Sequence, residues 1–213
     1  MHWHPRRDDA GQRVPIRRPS KASAPATWAD PGALALFVPG GLVPAALGGV
    51  PLAPWHPPQE DTAWSALAAS MPVAEPPFAC PAALQPAAGA LVVERDGRAW
   101  CVAPSNGYGG HALVLPKGRA DGRSLAATAL VEVFEEVGLR VRLLDFVCDV
   151  QRAVTCTRYF LAARIGGSPA DMGWESQACV LAPMAALRGM LTHPGDQAVL
   201  DAYDAIRGPR RQG

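Results

Sequence analysis

Apolar residues fall in short periodic runs over the second half of the chain and follow no steady period over the first. Ala90–Glu94 and Arg98–Ala103 flank Asp96-Gly97, a dipeptide suited to the positive φ angles of a tight turn, and together predict a β-hairpin. The apolar run HALVLP predicts a strand that leads into Pro116-Lys117-Gly118 and a short turn through Asp121 and Gly122. Ser124 stands where it can cap a helix, and Gly138 where a left-handed residue ends one. Beyond it, Arg140–Val147, Arg158–Ile165 and Ala178–Leu181 predict strands, and Met184–Leu191 and Asp196–Ile206 predict helices. The order of strands and helices predicts an α/β domain over residues 89–208.

Proline explains the irregular first part. Sixteen of the 22 prolines precede residue 90, and each removes a backbone donor and fixes φ. Residues 1–30 are basic and lack a periodic apolar face, so they predict a disordered arm. Residues 31–88 carry Trp55, Trp64 and Phe78 and are too apolar for a free linker. They predict an extension packed on the domain, with a helix from Trp64, that either covers one edge of it or builds a homodimer contact. Pro39, Pro44, Pro51 and Pro54 break the most apolar stretch, so it does not predict a membrane helix. The basic N-terminus is not followed by the apolar segment of a secretory signal.

A net charge of +1 gives no general attraction for nucleic acid, and 49% hydrophobic residues suffice for an ordinary core. Five cysteines without a CxxC pair argue against a disulfide framework or a cysteine-built zinc site. Reduced, buried thiols and a cytoplasmic location are expected.

The candidate chemistry lies in the helix before Gly138. Glu132, Glu135 and Glu136 are spaced i, i+3 and i+4, which puts three carboxylates on one face within about a turn. Such charges repel one another in a bare helix, whereas a hard divalent cation, Mg²⁺ or Mn²⁺, neutralises them and uses their oxygens as ligands. Lys117 is one of only two lysines beside eighteen arginines, and its compact ammonium at the loop suits a phosphate oxygen. Arg119 and Arg123 can add phosphate contacts, and Arg123 can equally pair with Asp121 or the acidic helix. Asp149, Asp171 and Glu175 are loop acids able to serve as a further ligand or base, or to remain solvated. Tyr108 and Trp174 can stack on a nucleobase or pack beneath their loops, and His111 lacks a second histidine at ligand spacing.

Gly118–Leu139, GRADGRSLAATALVEVFEEVGL, resembles the Nudix hydrolase signature. Its ending retains the three helix glutamates of that pattern, has Val131 in place of the usual arginine and carries Arg123 where a glutamate usually closes the loop, which is one residue shorter than usual. The resemblance implies a mixed sheet sandwiched between helices and a metal set of Glu132, Glu135, Glu136 and the Gly118 carbonyl. It implies a Mg²⁺-dependent pyrophosphohydrolase acting on a nucleoside diphosphate derivative such as ADP-ribose. Two alternatives stay open. Pro116-Lys117-Gly118 looks like the loop of dinucleoside polyphosphate and inositol pyrophosphate hydrolases, while Val131 and Arg123 leave room for a nucleotide-binding regulator without turnover.

Overall fold

The computed structural model describes residues 2–19, 21–105 and 112–208. Two sheets, two small hairpins, five α-helices and a 3-10 turn at Pro169–Asp171 are found among the described residues. The larger sheet has the order β8-β6-β10-β9, formed by Lys117–Arg119, Gln85–Val92, Thr155–Gly167 and Leu139–Gln151. Within it β10 runs parallel to β6 and antiparallel to β9, and β8 closes the edge antiparallel to β6. The smaller sheet, β3-β11-β7, joins Ala35–Phe37, Ser176–Pro183 and Arg98–Pro104 in antiparallel pairs. Strands with helices packed on them give the mixed α/β architecture expected from the sequence.

Helix α3, Leu125–Val137, packs against β6, β8 and β9 through Ala127, Leu130, Val131, Phe134 and Val137. Ser124 Oγ accepts the Ala127 N–H at 3.2 Å, and Gly138 closes the helix at φ 75° with its N–H on the Phe134 carbonyl. A second apolar cluster joins Leu91 and Tyr159 of the large sheet to α4, Met184–Met190, and α5, Pro194–Arg207. Successive strand residues face opposite sides, so Ala90 and Val92 enter the α3 cluster while Leu91 enters the α5 cluster.

Three expectations need correction. The hairpin around Asp96-Gly97 turns as expected, with Gly97 at φ 84°, but its arms separate into different sheets and share only the Val93–Ala99 bridge. Twist beyond the turn lets each arm find a larger partner, β10 for β6 and β11 for β7. Over its described residues, 112–116, the run HALVLP holds an isolated bridge, Val114 to Val102, and the strand forms at Lys117–Arg119 instead.

Residues 1–30 are not a disordered arm over their described part. Strands β1, His2–Arg7, and β2, Arg13–Ile16, pair antiparallel across a turn in which Asp8 Oδ1 accepts the Gln12 N–H and Gly11 takes φ 74°. Ile16 packs with Val38, Ala103 and Ala178, and the hairpin is anchored by Arg17 N–H on Gln177 Oε1 at 2.7 Å. Trp28, in the short helix α1, Pro25–Ala29, is only 1% exposed against Trp100, and its carbonyl accepts from Arg98 at 2.6 Å.

Residues 31–88 dock as well. The hairpin of β4, Ala46–Leu47, and β5, Val50–Pro51, offers carbonyls to the buried Arg164, which also pairs with Glu94. Helix α2, Asp61–Ala69, brings Trp64 to Phe134 of α3, and Trp55 meets both rings edge-on at 5.7 and 5.4 Å. All five cysteines are unpaired, and no helix among the described residues is long and apolar enough to cross a membrane.

Candidate active site

Strand β8 delivers the glycine loop to the polar side of α3. Its approach depends on Gly89 in β6, where a Cβ would lie 2.3 Å from the Pro116 carbonyl. At the next step Gly118 meets Glu132 so closely that a Cβ there would stand 2.2 Å from the carboxylate. The Lys117 N–H donates to Glu136 Oε2 at 2.8 Å. Glu132 and Glu136 are half-buried between helix and loop, and Glu135 is exposed.

The electrostatics follow from crowding acids where water is scarce. Burial, reinforced by Glu136, Glu135 and Glu175, pushes the Glu132 carboxyl up to about 9 against the pull of Lys117. Burial raises Glu136 to about 7, with the Lys117 ammonium and N–H opposing. Glu135 is raised by burial, restrained by Arg123, and raised further by Glu175, Asp9 and Asp61.

The other candidates are divided by the fold. Glu175 bears on all three helix glutamates and lies with Glu135, Trp174, Arg6 and Asp9 around a cavity of about 310 Å³. Asp149 is held elsewhere, in a two-point pair with Arg158 at 2.7 and 2.8 Å that also takes in Glu75. Asp171 faces the extension, accepting the Trp55 N–H at 3.4 Å. Arg119 is exposed beside Asp121 and Gln85. Arg123 pairs with Asp61 of α2 at 2.7 Å rather than with Asp121 or the acidic helix, because α2 reaches across to it. Val131, in the place of the arginine of the signature, is buried in the core and supplies no charge to the site. Tyr108 and His111 lie outside the described residues.

Arg6 and Asp9 were not expected at this site. Trp174 Nε1 donates to Asp9 Oδ1 at 3.2 Å across 165 residues of sequence. Their local signal is the Asp8-Asp9-Ala10-Gly11 turn between two short strands, which the basic charge of the segment obscures.

Residues 83–200, more than half of the chain and including strands β6 to β11, the loop and α3, match the NUDIX domain model. The chain belongs to the Nudix family. Solved structures with a similar course include an Ap4A hydrolase from C. elegans, at 18% identity over 57% of this chain and 97% of that one, TM-score 0.49. They also include an ADP-ribose pyrophosphatase from Streptococcus suis, at 20% identity over 56% and 91%, TM-score 0.45. A MutT protein from Methanosarcina mazei aligns at 15% identity over 59% and 96%, TM-score 0.47. No curated protein sequence matches the chain.

Proposed function

We propose that this Nudix protein is a Mg²⁺-dependent hydrolase that cleaves the diphosphate link of a nucleoside diphosphate derivative such as ADP-ribose, with Mn²⁺ as a substitute cation. The observation that carries the reading is the crowding of Glu132, Glu135 and Glu136 on α3, with Glu132 against Gly118. Among the described residues no three acidic, histidine or cysteine side chains stand in a metal-holding arrangement. Donor type nevertheless suits a hard cation, because the three glutamates offer only oxygen and raise one another's carboxyls by their crowding. Glu132, Glu135, Glu136 and the Gly118 carbonyl are the proposed ligands.

When bound, the cation offsets the negative charge that keeps a nucleophile away from phosphorus. Lys117 and Arg119 hold phosphate oxygens from the loop. A water oxygen attacks phosphorus, its proton passes to Glu135 or Glu175, and the bond from phosphorus to the bridging oxygen breaks, leaving two phosphorylated products. Asp149 and Asp171 have no part in this scheme, since their carboxylates are engaged elsewhere. The thiols are reduced in this reading, as they would be in the cytoplasm.

A second reading, a nucleotide-binding regulator without turnover, is favoured by Val131, which leaves the site without the cation of the signature. A panel of ADP-ribose, other nucleoside diphosphate derivatives, dinucleoside polyphosphates and inositol pyrophosphates, assayed with Mg²⁺ and with chelator, separates the cases. Mg²⁺-dependent release of a nucleoside monophosphate is expected. Full turnover in chelator sinks the metal scheme, and binding without turnover selects the regulator.

A further inference from the structure

The N-terminal hairpin adds the only guanidinium among the residues lining the cavity beside the glutamates. Arg6 and Asp9 from β1 and its turn share that space with Glu135, Trp174 and Glu175. The hairpin is fixed there at several points: Trp174 on Asp9, Arg17 on Gln177, His2 Nε2 against the Pro39 carbonyl at 2.8 Å, and Ile16 in the core. The hairpin and the acidic helix thus enclose one chemical space.

We propose that this hairpin is part of the substrate site, with Arg6 binding a phosphate oxygen of the nucleoside diphosphate derivative and Trp174 forming a flat wall for its base. The inference rests on the proposed hydrolase reading and deepens it. Three carboxylates line the cavity with Arg6, yet no ion pair involves its guanidinium among the described residues. Its planar fork matches two phosphate oxygens better than a point charge does. The indole of Trp174 is oriented by its bond to Asp9, so a planar base meets a ring already held in place and loses less freedom on binding. The volume, about 310 Å³, is enough for one part of such a ligand, and Glu135 on its wall joins that part to the acidic helix.

The test compares the full chain with R6A, R6Q and R6K. KM for ADP-ribose with Mg²⁺ should rise roughly ten- to a hundredfold in R6A and R6Q, with a smaller change in kcat. R6K should recover only part of the loss, because an ammonium cannot make the forked contact. Calorimetric titration with α,β-methylene-ADP and Mg²⁺ reads binding without turnover, and thermal melts near the parent value show the variants folded. If R6A melts early, R6Q carries the comparison. Parallel losses in KM and calorimetric affinity support the assignment. KM and affinity within about twofold of the parent in a folded variant overturn it while leaving the hydrolase reading intact. A parent that binds α,β-methylene-ADP, loses that affinity in R6A and hydrolyses nothing keeps the Arg6 assignment and removes the catalytic reading. A parent that shows no affinity for the probe overturns the Arg6 assignment, and turnover on the panel then decides the hydrolase reading by itself.

Discussion

In chelator, the acidic face of α3 should make the protein's stability depend on pH in a direction opposite to that of ordinary ion-paired carboxylates. Glu136 moves from 4.5 to about 7 and Glu132 from 4.5 to about 9, both chiefly through burial. Between the unfolded and folded values, the native state holds more protons than the unfolded chain, so stability falls as pH rises. The fall begins near pH 4.5, Glu136 has contributed its share by about pH 7, and Glu132 continues to about pH 9. At ~1.4 kcal/mol per pH unit, Glu136 alone accounts for on the order of 3 kcal/mol. For a domain of this size that corresponds to roughly 6–12 °C in melting temperature. Thermal melts from about pH 5 to about pH 9 in chelator should show this decline, and saturating Mg²⁺ should flatten it by replacing the protons. E136Q in chelator should be flatter than the parent over the lower half of the range. A parent melting temperature that is level or rises with pH in chelator, with the same slope in E136Q, would refute the account of buried, mutually repelling acids.

E136Q should also cut kcat by about a hundredfold or more while changing KM far less, since the amide can still accept the Lys117 N–H but has lost the anionic oxygens; saturation kinetics with Mg²⁺ provide the check. G118A should displace the flexible end of Glu132 rather than unfold the chain, so Mg²⁺ affinity by calorimetry should drop by about tenfold or more with a melt close to the parent. W28A should cost about 3–5 kcal/mol in denaturant unfolding, because it empties a buried site sealed by Trp100. Deleting residues 2–30 should for the same reason lower the melting temperature markedly, whereas a melt unchanged by truncation would restore the view of a dispensable arm.

Local chemistry made the centre of this protein legible. The i, i+3, i+4 glutamates, Ser124 as cap and Gly138 as stop depend on neighbours within one helix, so their spacing in the sequence already sets their relation in space. The later strands and both C-terminal helices were legible for the same reason, through short-range periodicity. Tertiary structure decided what depends on distant partners. Asp149, Asp171 and Glu175 are alike in sequence, and only the fold sends the first to Arg158, the second to Trp55 and the third toward the helix acids. Arg123 found Asp61 because α2 docks beside α3. The first thirty residues misled because their stability comes from elsewhere: Trp28 is buried by Trp100, Arg17 is tied to Gln177 and Asp9 is met by Trp174. A charged, proline-broken segment with little apolar surface of its own carries no periodic signal, and it is ordered here because the domain supplies the other half of each contact.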